Sequence, residues 1–545
     1  WLKQTFDEAD KNGDGCLSIT EVLQLMHKLN VNLPRQKVKQ MFKEADTDDN
    51  QGTLGFDEFC TFYKMMSTRR DLYLLMLTYS NHKDFLDTDD LRRFLENEQK
   101  MTNVTREHCL EIINKFEPCL ENKKAGALGI DGFTNYMRSP SGDIFNPEHY
   151  QVNQDMSYPL SHYFITSSHN TYLMGDQLMS QSRVDMYAWV LQSGCRCVEV
   201  DCWDGPDGEP IVHHGYTLTS KILFKDVIET INKYAFIKNE YPVILSIENH
   251  CSVVQQKKMA QYLTEILGDK LDLSSVHNDD STRLPSPASL KGKILVKVKT
   301  WLVCFISPFF WQVSSFSETK AHQILQQKPA QYLRFNQHQL SRIYPSSYRV
   351  DSSNYNPQPF WNAGCQLVAL NYQSEGRMLQ LNRAKFSANG NCGYVLKPNC
   401  MCQGIFNPNS EDPLPGQLKK QLVLRIISGQ QLPKPRDSML GDRGEIIDPF
   451  VEVEVIGLPV DCFKEQTRVV DDNGFNPMWE ETLVFTLHMP EIALIRFLVW
   501  DHDPIGRDFI GQRTIAFSSM MPGYRHVYLE GIEEASIFVH VAIND

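Results

Sequence analysis

The 545-residue sequence lacks several features, and each absence excludes a class of protein. The longest hydrophobic run, Trp301 to Val313, is shorter than the roughly 20 residues of a membrane span and is broken at Ser307-Pro308. Positive charge is not in excess: the net charge of −13 argues against general attraction to nucleic acid or to an anionic membrane. The 14 cysteines form no tight framework and no secretory segment opens the chain, so we expect reduced thiols in the cytoplasm. These absences favour a soluble protein with at most peripheral membrane contact.

The residue pattern divides the sequence into three successive regions. Residues 1–140 have the pattern of short amphipathic helices separated by loops rich in Asp, Asn and Gly. From about 155 to 405, β-rich runs alternate with helical stretches, which is typical of a parallel α/β barrel of eight units. Residues 419–545 carry about eight short alternating runs separated by turns. The sequence therefore predicts a multidomain α and β protein with a helical block, a distorted (β/α)8 TIM barrel and an antiparallel β-sandwich.

The helical block contains a segment that matches a calcium-binding EF-hand loop position by position. Gly15 supplies the sharp turn, and a glutamate that can bind bidentately ends the loop. The predicted calcium ligands are Asp10, Asn12, Asp14, Cys16 through its backbone carbonyl, and Glu21. A loop that keeps this shape without useful affinity is the alternative. In a second loop, Asp46 to Glu58, the glycine and the glutamate fall one residue late, so calcium coordination there stays open.

Acidic and amide side chains stand at the carboxyl ends of predicted strands in the central region, where a barrel places its active site. Glu199 and Asp201 are two residues apart, so both leave their strand on the same face. With Asn170 and Glu248 they form an oxygen-only set of the kind that Ca²⁺ prefers. Each residue alone also fits a solvated acid or a structural amide, and it is their grouping that favours a site.

Long segments of this region resemble eukaryotic phosphoinositide-specific phospholipases C. The first half of that family's catalytic barrel is similar to HYFITSSHNTYL, GCRCVEVDCWDG, HHGYTLTSKI and YPVILSIENHCS. The second half is similar to SSFSETKA, LSRIYPSSYRVDSSNYNP and FWNAGCQLVALNYQ, and GEIIDPFVEVEVIGLPVD resembles the eta-type isoforms. The resemblance divides the chain into an EF-hand domain (1–140), a first barrel half (155–299), a short apolar joint (300–314), a second barrel half (315–405) and a C2 domain (419–545).

The resemblance implies calcium-dependent hydrolysis of phosphatidylinositol 4,5-bisphosphate to inositol 1,4,5-trisphosphate and diacylglycerol, through a cyclic phosphate. It implies a catalytic Ca²⁺ held by Asn170, Glu199, Asp201 and Glu248. Glu199 or Glu248 would accept the proton of the inositol 2-hydroxyl, and His169 would stabilise charge on the phosphoryl oxygens. His214 would act as general acid and then as base, whereas the neighbouring His213 has no role in the family pattern.

The same resemblance assigns residues to the substrate and to the membrane. The headgroup would be held by Lys297, Lys299, Ser315, Arg342 and Tyr344. Because these cations are confined to the pocket, an acidic protein can still bind an anionic lipid. An apolar rim that dips into the bilayer is implied at Leu178, Leu218 and Tyr348, with an ordinary surface role as the alternative.

In the sandwich, acidic residues fall in predicted loops that converge at one end. The family pattern makes Asp448, Asp472, Asp501 and Asp503 calcium ligands that bridge to lipid; polar turn residues are the alternative. The implied location is cytoplasmic and peripheral on the inner face of the plasma membrane. We expect a monomer that binds phosphoinositide-containing membrane and no nucleic acid, with G-protein subunits as potential partners.

The chain departs from the family at the joint between the barrel halves. Relatives carry a long acidic insert there, whereas residues 300–314 are uncharged and mostly apolar, so autoinhibition through that insert is not expected. Leu302–Ile306 would supply the missing barrel strand; a splice form, an incomplete gene model or an engineered deletion are other readings. Val298 stands where the family has glycine, and the upstream pleckstrin-homology module is absent from this chain.

Two other functions fit parts of the pattern. A non-catalytic calcium-sensing adaptor would share the scaffold, but such relatives lose a catalytic histidine or a metal ligand. A barrel phosphodiesterase for glycerophosphodiesters would share the barrel, but it would not need Lys297, Lys299 and Arg342 around a phosphorylated ring.

Overall fold

The structure, a computed structural model, describes residues 1–48, 52–274, 283–298, 312–404, 406–436 and 444–545. Along these residues a helical block, an α/β barrel and an antiparallel sandwich follow one another, which confirms the predicted fold class. Among the described residues, no helix combines the length and the apolar character needed to cross a membrane.

The helical block consists of amphipathic helices joined by loops that pair through short strands. Its helices are α1 (Leu2–Ala9), α2 (Ile19–Lys28), α3 (Arg35–Ala45), α4 (Phe56–Met66), α5 (Arg70–Ser80), α6 (Thr88–Asn97), α7 (Arg106–Phe116), α8 (Leu120–Ala125) and α9 (Ile130–Arg138). Its strands are β1 (Leu17–Ser18), β2 (Thr53–Leu54), β3 (Phe85–Leu86) and β4 (Leu128–Gly129), which form the antiparallel pairs β1–β2 and β3–β4. Helix α2 begins where it does because Ser18 and Glu21 each bond the other's backbone N–H, at 3.2 and 3.1 Å.

The barrel follows as alternating strands and helices. Its strands are β5 (Tyr163–Ile165), β6 (Ser167–Ser168), β7 (Cys197–Trp203), β8 (Ile211–Val212), β9 (Ile222–Leu223), β10 (Val243–His250), β11 (Ile294–Val298), β12 (Val313–Ser317), β13 (Leu340–Tyr344), β14 (Leu367–Leu370) and β15 (Tyr394–Leu396). Its helices are α10 (Asp185–Gln192), α11 (Phe224–Tyr234), α12 (Val253–Leu267), α13 (Glu318–Gln327), α14 (Pro329–His338), α15 (Gln358–Asn362), α16 (Arg377–Ser387) and α17 (Asn399–Cys402).

The barrel strands pair in parallel in the order β11-β10-β7-β6-β14-β13-β12, with β8 and β9 added antiparallel beside β7. Because neighbouring parallel strands end at the same edge, their carboxyl ends gather the polar side chains that follow them. The two end strands, β11 and β12, are joined along the chain by a segment that includes 299–311. The strand predicted at Leu302–Ile306 therefore lies outside the described residues.

The sandwich contains two four-stranded antiparallel sheets, β19-β16-β23-β22 and β18-β17-β20-β21. Its strands are β16 (Lys420–Gln430), β17 (Pro449–Ile456), β18 (Phe463–Gln466), β19 (Met478–Leu487), β20 (Leu494–Asp503), β21 (Gly506–Ala516), β22 (Gly523–Tyr528) and β23 (Ser536–Asn544). In β19 the exposed and buried residues alternate as the sequence predicted, so that Trp479 and Leu483 enter the core between the sheets.

The sandwich contributes apolar side chains to the cores of the other units. Phe475 packs in the core of the first helical lobe, and Phe538 in that of the second. Ile492 and Leu494 pack in the core of the second barrel half. These shared cores fix the sandwich against both the helical block and the barrel.

One buried asparagine ties the first helical lobe to the sandwich loops. Asn30 follows α2 with a φ of +60° and is fully buried. Its Nδ2 donates to the Leu432 carbonyl at 2.9 Å, its Oδ1 accepts from Lys434 at 2.8 Å, and its carbonyl accepts from the Gly474 N–H at 3.2 Å. The end of α2 is therefore bonded to two loops of the sandwich.

Candidate active site

The predicted acidic cluster assembles at the carboxyl ends of three adjacent strands. Glu199 and Asp201 lie on β7, Glu248 lies on β10 with its Cα opposite that of Asp201, and Asn170 follows β6. Oxygen atoms of Glu199, Asp201 and Glu248 lie within 4.8 Å of one another. Strand alternation places both β7 carboxylates on one face of the sheet, and the parallel register puts Glu248 on that same face.

The electrostatics of the cluster are those of a site built for a cation. Burial, together with the neighbouring carboxylates Glu199 and Glu248, raises the pKa of Asp201 well above its usual range. Asp201 Oδ1 is buried and has no hydrogen-bond partner, while Oδ2 accepts from the Tyr172 hydroxyl. Burial also opposes the charge of Glu199, but the Arg342 guanidinium beside it lowers the pKa of Glu199 to about 2.

Asn170 completes the oxygen set. Its backbone is in the left-handed region, with a φ of +41°, and its side chain is buried. One end of its amide lies 2.6 Å from Glu199 Oε1 and 3.0 Å from Asp201 Oδ2. If Nδ2 occupies that end, it donates to both carboxylates. If Oδ1 occupies it, three oxygens face one another, and a bound cation would stabilise that arrangement. The residues present therefore fit a hard metal ion bound through oxygen.

Two imidazoles flank the cluster, each oriented by a hydrogen bond on Nδ1. His169 Nδ1 lies 2.8 Å from Asn371 Oδ1, and burial lowers the pKa of His169. His214 Nδ1 lies 2.6 Å from the carbonyl of Gln177. Because each Nδ1 donates to an oxygen, each Nε2 is left as the reactive nitrogen. His213 Nδ1 instead lies 3.1 Å from the carbonyl of His214, and His213 does not line the pocket.

The described residues predicted to hold the headgroup line the same pocket, and each of them contacts a different kind of side chain. Lys297 Nζ on β11 donates to Ser315 Oγ on β12 at 2.7 Å and lies 3.4 Å from Ser246 Oγ. Arg342 is buried, and its Nη2 donates to Glu199 and, at 3.3 Å, to the Ser168 carbonyl. The ring of Tyr344 stacks 6.4 Å from that of His169. Lys299 lies outside the described residues.

One pocket of about 330 Å³ collects these groups. The described residues predicted for catalysis, the catalytic metal and the headgroup all line it: His169, Asn170, Glu199, Asp201, His214, Glu248, Lys297, Ser315, Arg342 and Tyr344.

Reasoning from the sequence missed several supporting residues. Asn371 directly follows β14, so the strand-end rule could have found it, and Tyr172 stands in the same motif as His169. Gln177, which bonds both Asn170 and His214, carried no signal.

The predicted rim residues stand exposed beside the mouth of the pocket. Leu178 is 46% exposed, Leu218 80% and Tyr348 67%. The Leu218 N–H donates to the Leu178 carbonyl at 2.8 Å, and the Gln177 N–H donates to the Val350 carbonyl at 2.8 Å. These bonds bring the three rim segments together around Gln177, whose side chain lines the pocket.

The first EF-hand loop is held by hydrogen bonds between its acidic side chains and its backbone. The Gly15 N–H donates to Asp10 Oδ2 at 2.8 Å, and Glu21 Oε2 accepts from the Lys11 N–H at 3.1 Å. Cys16 follows in the loop, and its N–H donates to Asp14 Oδ1 at 3.0 Å. Asn12 Nδ2 also donates to Asp14 at 3.1 Å, so the loop is closed by bonds among these side chains, and calcium binding by them stays a prediction.

The second EF-hand loop keeps the same pattern despite its extra residue. Glu58 accepts from the Thr47 and Gly55 N–H groups at 2.7 and 3.2 Å, as Glu21 does in the first loop. Oxygen atoms of Asp46, Asp48 and Glu58 lie within 4.8 Å of one another. The glutamate that is late in the sequence is therefore in place in the structure.

The sandwich loops bring together three of the four predicted ligands by direct contact. The Asp448 N–H donates to Asp501 Oδ1 at 2.8 Å, and the Asp472 N–H donates to Asp448 Oδ1 at 2.7 Å. Burial, reinforced by Asp448 and its acidic neighbours, raises the pKa of Asp501 to about 6. Asp503 lies close enough to contribute to that effect, while its Oδ1 accepts from the Ile505 N–H.

Comparison with known proteins identifies this arrangement. Residues 156–300 match the phosphatidylinositol-specific phospholipase C X domain and 305–400 its Y domain. Residues 62–147 match the phosphoinositide-specific phospholipase C EF-hand-like family, 1–64 an EF-hand domain pair and 420–529 the C2 domain. The sequence is 42% identical to Xenopus laevis 1-phosphatidylinositol 4,5-bisphosphate phosphodiesterase delta-4, covering all of this chain and 81% of that protein. The chain belongs to the phosphoinositide-specific phospholipase C family.

Within this family the eta-type resemblance is confirmed. The mouse (Mus musculus) eta-2 phosphodiesterase is 67% identical over all of this chain, which spans 48% of that protein. The chain thus spans about half the length of the eta-type relatives it matches. The crystal structure of L. pealei PLC21 superposes with a TM-score of 0.82 at 32% identity, covering 98% of this chain and 76% of that one.

Proposed function

We propose that this phospholipase C chain hydrolyses phosphatidylinositol 4,5-bisphosphate to inositol 1,4,5-trisphosphate and diacylglycerol. The observation that carries the proposal is the single pocket in which His169 and His214 face a buried oxygen cluster beside Lys297. The eta-2 and delta-4 relatives are named as phosphodiesterases of this lipid, which supports the same substrate.

The oxygen donors support Ca²⁺ as the metal. Asn170, Glu199, Asp201 and Glu248 would hold it, in keeping with the preference of this hard ion for carboxylate and amide oxygens. When bound, Ca²⁺ would supply positive charge that lowers the pKa of the inositol 2-hydroxyl and offsets charge on the phosphoryl group.

The chain's own residues move the protons. A carboxylate, Glu199 or Glu248, takes the proton of the 2-hydroxyl as its oxygen attacks phosphorus. His169, once the phosphodiester anion has drawn a second proton onto its ring, donates from Nε2 to a phosphoryl oxygen while Nδ1 stays bonded to Asn371. His214, held through Nδ1 by the Gln177 carbonyl, enters this step as the imidazolium and gives its Nε2 proton to the departing glycerol oxygen, which leaves a neutral ring protonated on Nδ1. The same nitrogen then takes a proton from the water that opens the cyclic phosphate.

Selectivity for the phosphorylated headgroup is assigned to the pocket cations. Lys297 and Ser315 already meet across the β11–β12 seam, so a ring phosphate can bond both. Lys299 would add a second lysine, and Tyr344 would lie against the ring. Arg342 is paired with Glu199, so we assign it to the headgroup only through the field that it adds to the pocket.

The remaining units would place the pocket at a membrane. Leu178, Leu218 and Tyr348 would enter the apolar layer, and the C2 and EF-hand acidic loops would bind Ca²⁺. A lipid-binding C2 domain and the absence of a membrane-spanning helix among the described residues are consistent with peripheral attachment, which we place at the inner face of the plasma membrane.

The experiment is release of inositol phosphates from vesicles containing this lipid, titrated with calcium. We expect His214→Ala and His169→Ala each to reduce turnover by about 10² to 10⁴ while vesicle binding is retained. His213→Ala is the matched control, because His213 is the adjacent imidazole and does not line the pocket. Retained vesicle binding without calcium-dependent release by the unaltered protein would favour a non-catalytic adaptor.

A further inference from the structure

A second cavity lies at the opposite end of the barrel, between the barrel and the sandwich. It measures about 490 Å³ and is lined on the barrel side by Lys385, Lys397, His162 and Tyr158 and on the sandwich side by Ile492 and Leu494. His162 comes just before the strand that leads to His169, seven residues further on. At about 3.3 Å per residue, roughly 20 Å separates this cavity from the catalytic pocket.

The cavity is lined by two buried lysines. Lys385 is 5% exposed and Lys397 is 3% exposed. The Lys385 ammonium lies 4.0 Å from the ring centre of Phe164 and 4.8 Å from that of Trp361. The Lys397 ammonium lies 5.9 Å from the same Phe164 ring and donates to the Asn336 carbonyl at 3.0 Å.

No carboxylate among the described residues pairs with either lysine. Burial accordingly lowers the pKa of Lys385 to about 7 and that of Lys397 to about 8. Ring faces and one carbonyl offset only part of the cost of burying two cations. Glu491, the acidic residue at the cavity wall, is exposed and forms no ion pair in the described part of the chain.

We propose that this cavity binds a soluble phosphate monoester, with its phosphate between Lys385 and Lys397. A phosphate supplies the missing negative charge and accepts charge-assisted hydrogen bonds from both ammonium groups. The organic part of the ligand would lie against the apolar wall formed by Ile492 and Leu494.

The position of the cavity selects a soluble ligand over a lipid headgroup. The apolar rim stands at the catalytic end of the barrel, whereas Lys385 and Lys397 lie at the other end, behind the sandwich. A ligand there contacts both units at once and would stabilise their junction. This site is separate from the proposed lipid pocket and does not depend on it.

The test is calorimetric titration of the whole chain with phenyl phosphate, with inorganic phosphate in parallel. Charge-assisted bonds predict that Lys385→Met weakens the binding of phenyl phosphate by about tenfold or more, and that Lys385→Arg retains most of it. Ser518→Trp changes an exposed residue of the cavity wall and leaves the buried cations in place, so it should weaken binding without unfolding the barrel. Lys297→Met, in the catalytic pocket, is the control that leaves this binding unchanged.

The outcomes separate the alternatives. Binding lost in Lys385→Met and Ser518→Trp but kept in Lys297→Met supports the proposal. If Lys385→Met and Ser518→Trp bind phenyl phosphate as tightly as the unaltered protein while Lys297→Met loses this binding, the ligand occupies the catalytic pocket and the proposal is overturned. Absence of saturable binding to the folded chain up to about 10 mM also overturns it, and leaves the lysines as structural groups. Binding to phosphatidic acid vesicles that depends on Lys385 would contradict the choice of a soluble source.

Discussion

At the residue scale, the site is governed by how a few buried charges pair. Arg342 and Glu199 are both buried and bond one another, so the guanidinium holds one carboxylate ionised. Asp201 has the opposite environment, because burial and then the two neighbouring carboxylates raise its pKa. The cluster therefore carries one compensated and one uncompensated acid, and the second is the group that most needs a cation.

Replacing Arg342 by methionine should destabilise the protein by about 3–5 kcal/mol, because it leaves Glu199 charged, buried and unpaired. Chemical denaturation measures this loss. Arg183→Met is the matched control: Arg183 pairs with Asp185 at the surface, where the loss should stay below about 1 kcal/mol. Adding Glu199→Gln to Arg342→Met should recover part of the stability, and a double variant no more stable than the single one would contradict the pairing.

Replacing Lys297 by alanine should reduce hydrolysis of phosphatidylinositol 4,5-bisphosphate by about tenfold or more and affect phosphatidylinositol less. The reason is that Lys297 would bond a ring phosphate that only the first lipid carries. Initial rates on the two lipids give the comparison, with Lys293→Ala as control because Lys293 bonds the Asp269 carbonyl outside the pocket. Equal losses on both lipids would rule out the headgroup assignment.

At the scale of the elements, a buried histidine holds the helical block against the sandwich. His526 on β22 is fully buried, and its Nδ1 lies 2.7 Å from the Met137 carbonyl at the end of α9. Its Nε2 lies 2.9 Å from Arg69 Nη1, just before α5. Burial and the Arg69 cation lower the pKa of His526 well below its usual range, so the ring is a neutral acceptor toward Arg69.

This junction should lose stability as the pH falls below about 6.5. The unfolded chain binds a proton at His526 there while the folded chain does not, so folding stability decreases by up to about 1.4 kcal/mol per pH unit. Urea denaturation at several pH values between about 7.5 and 5.5 measures the slope, and His526→Gln should make it shallower. His108→Gln, at an exposed helical position, should leave the slope unchanged. Identical slopes for the unaltered protein and His526→Gln would contradict this account.

At the scale of the whole molecule, the sandwich is the unit that shares a hydrophobic core with each of the others. Leu458 is fully buried in the core that the sandwich shares with the second barrel half. Phe475 and Phe538 enter the two helical lobes. Because these cores cross the domain boundaries, the units are not independent folding units within the described residues.

The shared core predicts one cooperative thermal transition for barrel and sandwich. Leu458→Ala should cost about 2–5 kcal/mol and lower the transition of both units together, as measured by calorimetry. Leu418→Ala, at a position 82% exposed, should change stability by less than about 0.5 kcal/mol. Two separate transitions, with only one of them shifted by Leu458→Ala, would show that the units unfold independently.

Much of this molecule could be predicted from local rules. The two-residue spacing of Glu199 and Asp201 fixed their shared face, and the strand-end rule placed them with Glu248. Alternation in β19 gave a sandwich strand with the correct buried face. These features follow from periodicity, which acts over a few residues and does not need the rest of the chain.

The hydrogen-bond and ion-pair partners of several side chains could not be predicted, because those partners lie far away in the sequence. Arg342 bonds Glu199, a residue 143 positions away, and nothing in the sequence indicated this pairing, while its role toward the headgroup stays a prediction. In the second EF-hand loop the glutamate falls one residue late in the sequence. Glu58 nevertheless accepts from the Thr47 N–H, the position equivalent to the Lys11 N–H that Glu21 accepts from in the first loop. Packing between distant segments determines which partner a side chain bonds. The spacing of residues along one strand or loop carries no information about that packing.

The shared cores also bear on how the chain is made. Synthesis proceeds from the helical block through the barrel, so the apolar surfaces that accept Phe475, Phe538 and Leu494 are complete before the sandwich exists. At about 5–20 residues per second, a ribosome needs roughly 6 to 25 s to add residues 419–545. For that interval the nascent chain exposes apolar surfaces that the finished protein buries, and transiently exposed surface of this kind promotes aggregation.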